Sequence, residues 1–139
     1  MQSKKVFLAE DVFLAFVDRA HTKHLHAGAF FRYFAQQQYF LYTNVQIVIA
    51  TYQNISQNIS SGLAKDFLKA FQFSTITILY PEEPDVKSAI KAVLTHTSST
   101  LPLDEALMLV MAEKRGIGSI CTFSYLHNLF GVETFYLPL

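Results

Sequence analysis

The chain has 139 residues, 51% hydrophobic and 16% charged, with 11 basic and 11 acidic side chains that cancel. That length suits one domain with its own core and is short for two. The composition excludes a disordered tail or an acidic solubility segment. Zero net charge supplies no whole-chain basic field of the kind nucleic-acid binders often carry, although a local patch is compatible with it.

Thirteen Phe and seven Tyr without a Trp, at a mean hydropathy of +0.24, give more apolar surface than so small a core can hide. Part of the surplus is expected in a subunit interface. The single cysteine, Cys121, excludes a disulfide framework and a zinc site built on paired thiolates. The N-terminus meets Glu10 and Asp11 too soon for a signal peptide. The greasiest run, residues 39–52, contains Thr43, Asn44 and Gln46 and is too short and too polar to span a bilayer. These features predict a soluble, cytoplasmic chain without a membrane partner.

In chain order, residues 5–9 form an apolar run of strand length, ending at Glu10-Asp11. A helix is predicted over 12–19, with Phe13, Phe16 and Val17 one turn apart. A second helix is predicted over 24–38, with apolar Ala27, Phe30, Phe31 and Phe34 at amphipathic spacing. Residues 41–43 read as a short strand and 45–56 as a helix, and Ser60 or Ser61 can cap a further helix through Gln72. The alternating, β-branched stretch 75–80 is the clearest strand.

Pro81 and Pro84, with Glu82 and Glu83, open a helix to about Thr95, and a loop follows at 98–100. Pro102 begins the next helix, with Leu107, Val110 and Met111 inward, and Gly116 ends it after Lys114-Arg115. Residues 117–122 read as a strand, 125–129 as one helical turn and 132–136 as a last strand. Strands alternating with helices predict an α/β three-layer domain with a mainly parallel sheet of four to five short strands. No linker divides residues 1–139. Residues 33–64 contain no Asp, Glu, Lys or Arg. This segment is read either as two buried helices with a wet amide side or, preferentially, as a homodimer interface, since interface cores are depleted in charge.

Three stretches carry a resemblance. They are Val6-Phe7-Leu8-Ala9-Glu10-Asp11 opening into a helix; His24-Leu25-His26-Ala27; and the block Leu103-Asp104-Glu105-Ala106-Leu107 through Gly116-Ile117, then Thr122-Phe123-Ser124 and Gly131-Val132. Together with the element order they resemble the PIN domain, the fold of VapC-like toxin ribonucleases. The resemblance implies a site where three or four carboxylates converge at the carboxyl end of the sheet and hold Mg²⁺ or Mn²⁺. A hard cation takes oxygen ligands, and it would activate water and neutralise the scissile phosphate.

Carried over position by position, the strand-end Asp of that pattern falls on Ala9. Asp11 stands two residues on; if the extended conformation continues, 9 and 11 share a face and Glu10 points away. The second acid falls near Ala50 or Thr51, and no acid exists between Asp18 and Asp66. The third falls on Glu105, with Asp104 beside it. The fourth falls on Ser124.

At most Asp11 and Glu105 are then available as metal ligands, and the pattern argues for the fold and against the chemistry. Each candidate also has a plainer role. Glu105 with Asp104 suits a helix N-terminus, and Asp11 suits a cap for a helix from Val12. Ser124, with Thr122, could donate to a phosphate or cap a turn at Tyr125. His24 and His26 fall on different faces of a helix. Cys121 suits a small buried side chain, and Tyr42, Tyr52 and Tyr125 suit core packing.

The leading reading is a PIN-like homodimer, assembled through 33–64, that binds RNA or an antitoxin-like protein without cutting and needs no cofactor. The alternative is an active ribonuclease using Mg or Mn on Asp11, Glu105, Asp104 and Glu10. A third reading is an unrelated small α/β interaction domain.

Overall fold

The computed structural model describes residues 4–97, 100–127 and 129–138. Strand β1 (Lys5–Leu8) leads into α1 (Glu10–Val17) and α2 (His24–Gln36). Strand β2 (Phe40–Asn44) is followed by α3 (Val45–Asn58) and α4 (Ser61–Gln72). Strand β3 (Thr77–Leu79), α5 (Glu83–Thr95), α6 (Leu103–Lys114), β4 (Ser119–Cys121) and β5 (Glu133–Thr134) complete the described elements. All four ladders are parallel, in the order β3-β2-β1-β4-β5.

Strand β1 is central, and its pleat separates two cores. Val6 and Leu8 pack with Val12, Phe13, Phe30, Phe34, Ile55 and Phe67 on the side of α1 to α4. Phe7 and Ala9 pack with Met108, Leu109, Met111 and Ile120 on the side of α6. Helix α6 buries Ala106 and all of Met108 to Ala112, as a helix enclosed on most sides must. Much of the aromatic content is interior: Phe30, Tyr33, Phe34 and Tyr39 stack around Phe135, with centroids 4.9–5.9 Å from its ring.

Local chemistry sets the boundaries. Asn44 accepts from the Ile47 N–H at 2.9 Å and starts α3 directly at the end of β2. Ser60, of the two candidates, caps α4 through the Leu63 N–H. Gly116, at φ +69, takes the left-handed position after α6 that a side chain would strain. The expected strand at 75–80 is real but three residues long, because it lies at the sheet edge with a single neighbour.

Two expectations fail. Helix α1 begins at Glu10, not Val12, so Ala9 is the N-cap and the extended chain does not reach Asp11. Residues 125–127 are not helical, and the His127 N–H goes to the Glu105 side chain rather than back along the chain. Positions 98, 99 and 128 of the predicted loop and turn lie outside the described residues. Among the described residues no helix is long and apolar enough to cross a membrane.

Candidate functional site

The carboxyl ends of parallel strands leave a crevice where α1, α3 and α6 begin. Here it is a cleft of about 650 Å³, lined by Ala9, Glu10 and Asp11 from the β1–α1 junction, Asn44, Gln46, Ile47 and Ala50 from the start of α3, and Asp104 and Glu105 from α6. Thr122, Ser124 and Tyr125, beyond β4, close it. The four expected acids therefore meet in one place, although 93 positions separate Asp11 from Asp104 (104 − 11). Ala9 and Ala50, at two positions where the resemblance puts acids, line the same cleft without a ligating atom.

Asp11 owes its place to helix α1 starting one residue after β1. In the first turn its carboxylate faces the β4 side, and its Oδ2 accepts three hydrogen bonds: from Thr122 Oγ1 at 2.8 Å, the Phe123 N–H at 2.8 Å and Ser124 Oγ at 2.9 Å. Thr122 Oγ1 in turn accepts from the Ser124 N–H at 3.1 Å. Asp11 is thus not a helix cap, and Ser124 donates to Asp11 rather than capping a turn. The other oxygen, Asp11 Oδ1, is buried and has no hydrogen-bond partner among the described residues.

Glu105 is engaged as fully. Its Oε2 accepts from the His127 N–H at 2.8 Å and from His127 Nδ1–H at 2.7 Å, with both side chains largely buried. His127 also packs edge-on against His96 and Tyr125. The sequence suggests only a capping or surface role for His127, since nothing in a short window links it to a helix 22 residues earlier.

Glu10 does not point away from the cleft. Burial pushes its carboxyl above the usual range, the charges of Asp104 and Asp11 push it further, and a hydrogen bond with the Asn54 side chain opposes them. No Lys or Arg is among the described residues lining the cleft.

The remaining candidates have plainer surroundings. His24 Nδ1–H donates to the Ala15 carbonyl at 2.9 Å, and His26 stacks on Phe30. Cys121 is fully buried, and burial together with Asp11 pushes its thiol far up. Tyr125 is exposed rather than core.

Mg²⁺ takes oxygen ligands, one or two of them carboxylates and the rest water or substrate. Among the described residues no three of His, Cys, Asp and Glu are disposed to share an ion. Three donors occupy Asp11 Oδ2, and His127 occupies Glu105 Oε2.

No protein-family model matches the sequence, and no curated protein matches it. Among solved structures, the chain is similar to the crystal structure of Mycobacterium tuberculosis VapC20, a sarcin-ricin loop cleaving toxin, at a TM-score of 0.75. Identity is 14%, over 86% of this chain and 89% of that one. The fold is PIN-like. Agreement at this identity resides in the backbone, and a PIN-like backbone fixes where the cleft lies without fixing what happens in it.

Proposed function

We propose that this PIN-like chain is a binding domain rather than a metal-dependent ribonuclease. One observation carries the reading. The Asp11 carboxylate, the acid best placed to ligate at the end of β1, gives one oxygen to three donors of the segment after β4. A carboxylate oxygen that accepts three hydrogen bonds holds the segment that donates them. Ala9 and Ala50 supply no further charge.

The cleft favours a protein partner over RNA. Four acids without a Lys or Arg repel a polyphosphate, each carboxylate opposing a phosphate about 4 Å away by roughly 4 kcal/mol at a surface-like dielectric. The same lining suits a cationic side chain from a partner with apolar neighbours, which would lie against Ile47, Leu103 and Met108. An antitoxin-like protein is the partner class that the resemblance implies.

A second reading, a ribonuclease using Mg or Mn with Asp11, Glu105, Asp104 and Glu10, has one observation in its favour: the buried, unpartnered Asp11 Oδ1. Titration with Mn²⁺ and an RNA cleavage assay, with and without chelator, separate the two. The binding reading expects no heat, no cleavage and no retention of RNA. Chelator-sensitive cleavage that disappears in Glu105→Ala would overturn it.

A further inference from the structure

We propose that the groove beyond β4 and β5 is a second binding site, distinct from the acidic cleft, and that it takes the guanidinium of an arginine side chain presented by a partner protein. The groove has a volume of about 580 Å³, and Phe123, Ser124, Tyr125, Glu133, Thr134 and Tyr136 are among the residues that line it. That volume is within the range of ligand pockets. No Lys or Arg is among its described lining residues.

Both walls are fixed before any ligand arrives. On one side, Thr122, Phe123 and Ser124 are tied to Asp11 Oδ2 by three hydrogen bonds. Tyr125 beside them meets the His127 ring edge-on, with centroids 5.2 Å apart. On the other side, the Phe135 N–H donates to the Ile120 carbonyl at 2.8 Å, and the Phe135 ring is set among Phe30, Tyr33, Phe34 and Tyr39. Thr134 and Tyr136, the residues flanking this anchor, line the groove. Fixed walls spare a ligand the cost of ordering them.

The rings left in water select the class of occupant. Tyr125 and Tyr136 are 79% and 78% exposed, so neither is spent on the core, and the face of each ring carries the negative side of its quadrupole. Glu133 is exposed and joins no ion pair among the described residues. Aromatic faces beside a carboxylate suit a cation. A guanidinium suits them best, since its plane lies on a ring while its fork of N–H groups meets a carboxylate. Phe123 shows this chemistry on the same wall: Lys23 Nζ lies 5.9 Å from its ring centroid.

A nucleotide could also lay its base on a tyrosine, but its phosphate would meet Glu133. Across a wall whose Thr122, Ser124 and Tyr125 line both cavities, it would also meet the field of the four acids of the cleft. The protein-binding reading above supplies only the source of the guanidinium; the groove stands on its own residues.

Heteronuclear NMR on the full chain tests the proposal, with a blocked Ala-Arg-Ala tripeptide titrated to millimolar concentration. The expected result is saturable shifts at the Thr134 and Tyr136 amides. Binding should weaken about two- to fivefold in Glu133→Gln and in Tyr136→Ala, both checked for native circular dichroism. It should be unchanged in Glu113→Gln, which removes an exposed acid at the far end of α6. No saturable shift, an equal response to Ala-Glu-Ala or adenosine monophosphate, shifts confined to Ile47 and Ala50 of the cleft, or an affinity indifferent to both groove variants would overturn the assignment. These outcomes are independent of Mn²⁺ binding and RNA cleavage, which decide the reading of the cleft.

Discussion

Asp11 Oδ2 and Thr122 Oγ1 lie 2.8 Å apart across 111 positions of sequence. The bond ties the first turn of α1 to the end of β4, and it is repeated on the Phe123 N–H and Ser124 Oγ. Asp11→Ala should therefore destabilise the chain. Hydrogen bonds to a charged acceptor contribute about 1.5–3 kcal/mol each when desolvated, but exposed Ser124 regains water, so a loss of about 2 kcal/mol is expected. Urea unfolding should show a lower midpoint at unchanged slope. A gain in stability, as expected on thinning a cluster of unsatisfied acids, would contradict the holding role.

Glu105 and His127 should be coupled by roughly 1–2 kcal/mol, because two bonds meet on one oxygen in a largely buried setting. The check is a double-mutant cycle of Glu105→Gln and His127→Ala, read by chemical denaturation. Additive effects would mean that the pair is incidental.

Glu10 carries a pH signature. Its folded-state carboxyl is raised by burial, then by Asp104 and Asp11, against the Asn54 hydrogen bond. The folded state therefore holds this proton more tightly than the unfolded state does. Its contribution is fully present below the ordinary carboxylate range and is lost as pH rises through the raised value. Glu10→Gln should raise the melting temperature at neutral pH, with the gain shrinking in acid. Equal gains at both pH values would show that Glu10 is not the cause.

Asp85 behaves in the opposite sense. Burial alone would raise its carboxyl, yet the Glu82 N–H, Lys114 and Arg115 hold it below the usual range. Its Oδ1 lies 3.0 Å from Lys114 Nζ, and its Oδ2 accepts from the Glu82 N–H at 2.8 Å and lies 3.3 Å from Arg115. Stability from this group is present above the ordinary carboxylate range and is lost as pH falls through the lowered value. Asp85→Asn should cost about 2–3 kcal/mol at neutral pH, because it removes the negative partner of two cations in a buried setting while leaving an oxygen for the Glu82 N–H. The deficit should narrow in acid when unfolding is followed across pH.

The fold was legible where the signals are local. Periodicity marks α2, Ser60 starts α4, and the Lys114-Arg115-Gly116 sequence closes α6. The site was legible only as a set of acids. That Asp11 belongs to α1 rather than to a continuing strand depends on the chain turning at Ala9, which has no capping side chain. That the His127 N–H leaves the local chain depends on an acceptor supplied by Glu105, 22 residues away. Neither partner is visible within one turn or one strand, so no window-based reading could pair them.

The double employment of Asp11 constrains how such a cleft can change. Ala50 borders it without holding anything, so a substitution there alters its chemistry at little mechanical cost, whereas Ala9 is packed with Phe7, Met108 and Ile120. Replacing Asp11 would release the segment after β4 and strand the Phe123 amide. The carboxylate at this position is therefore one the architecture itself requires.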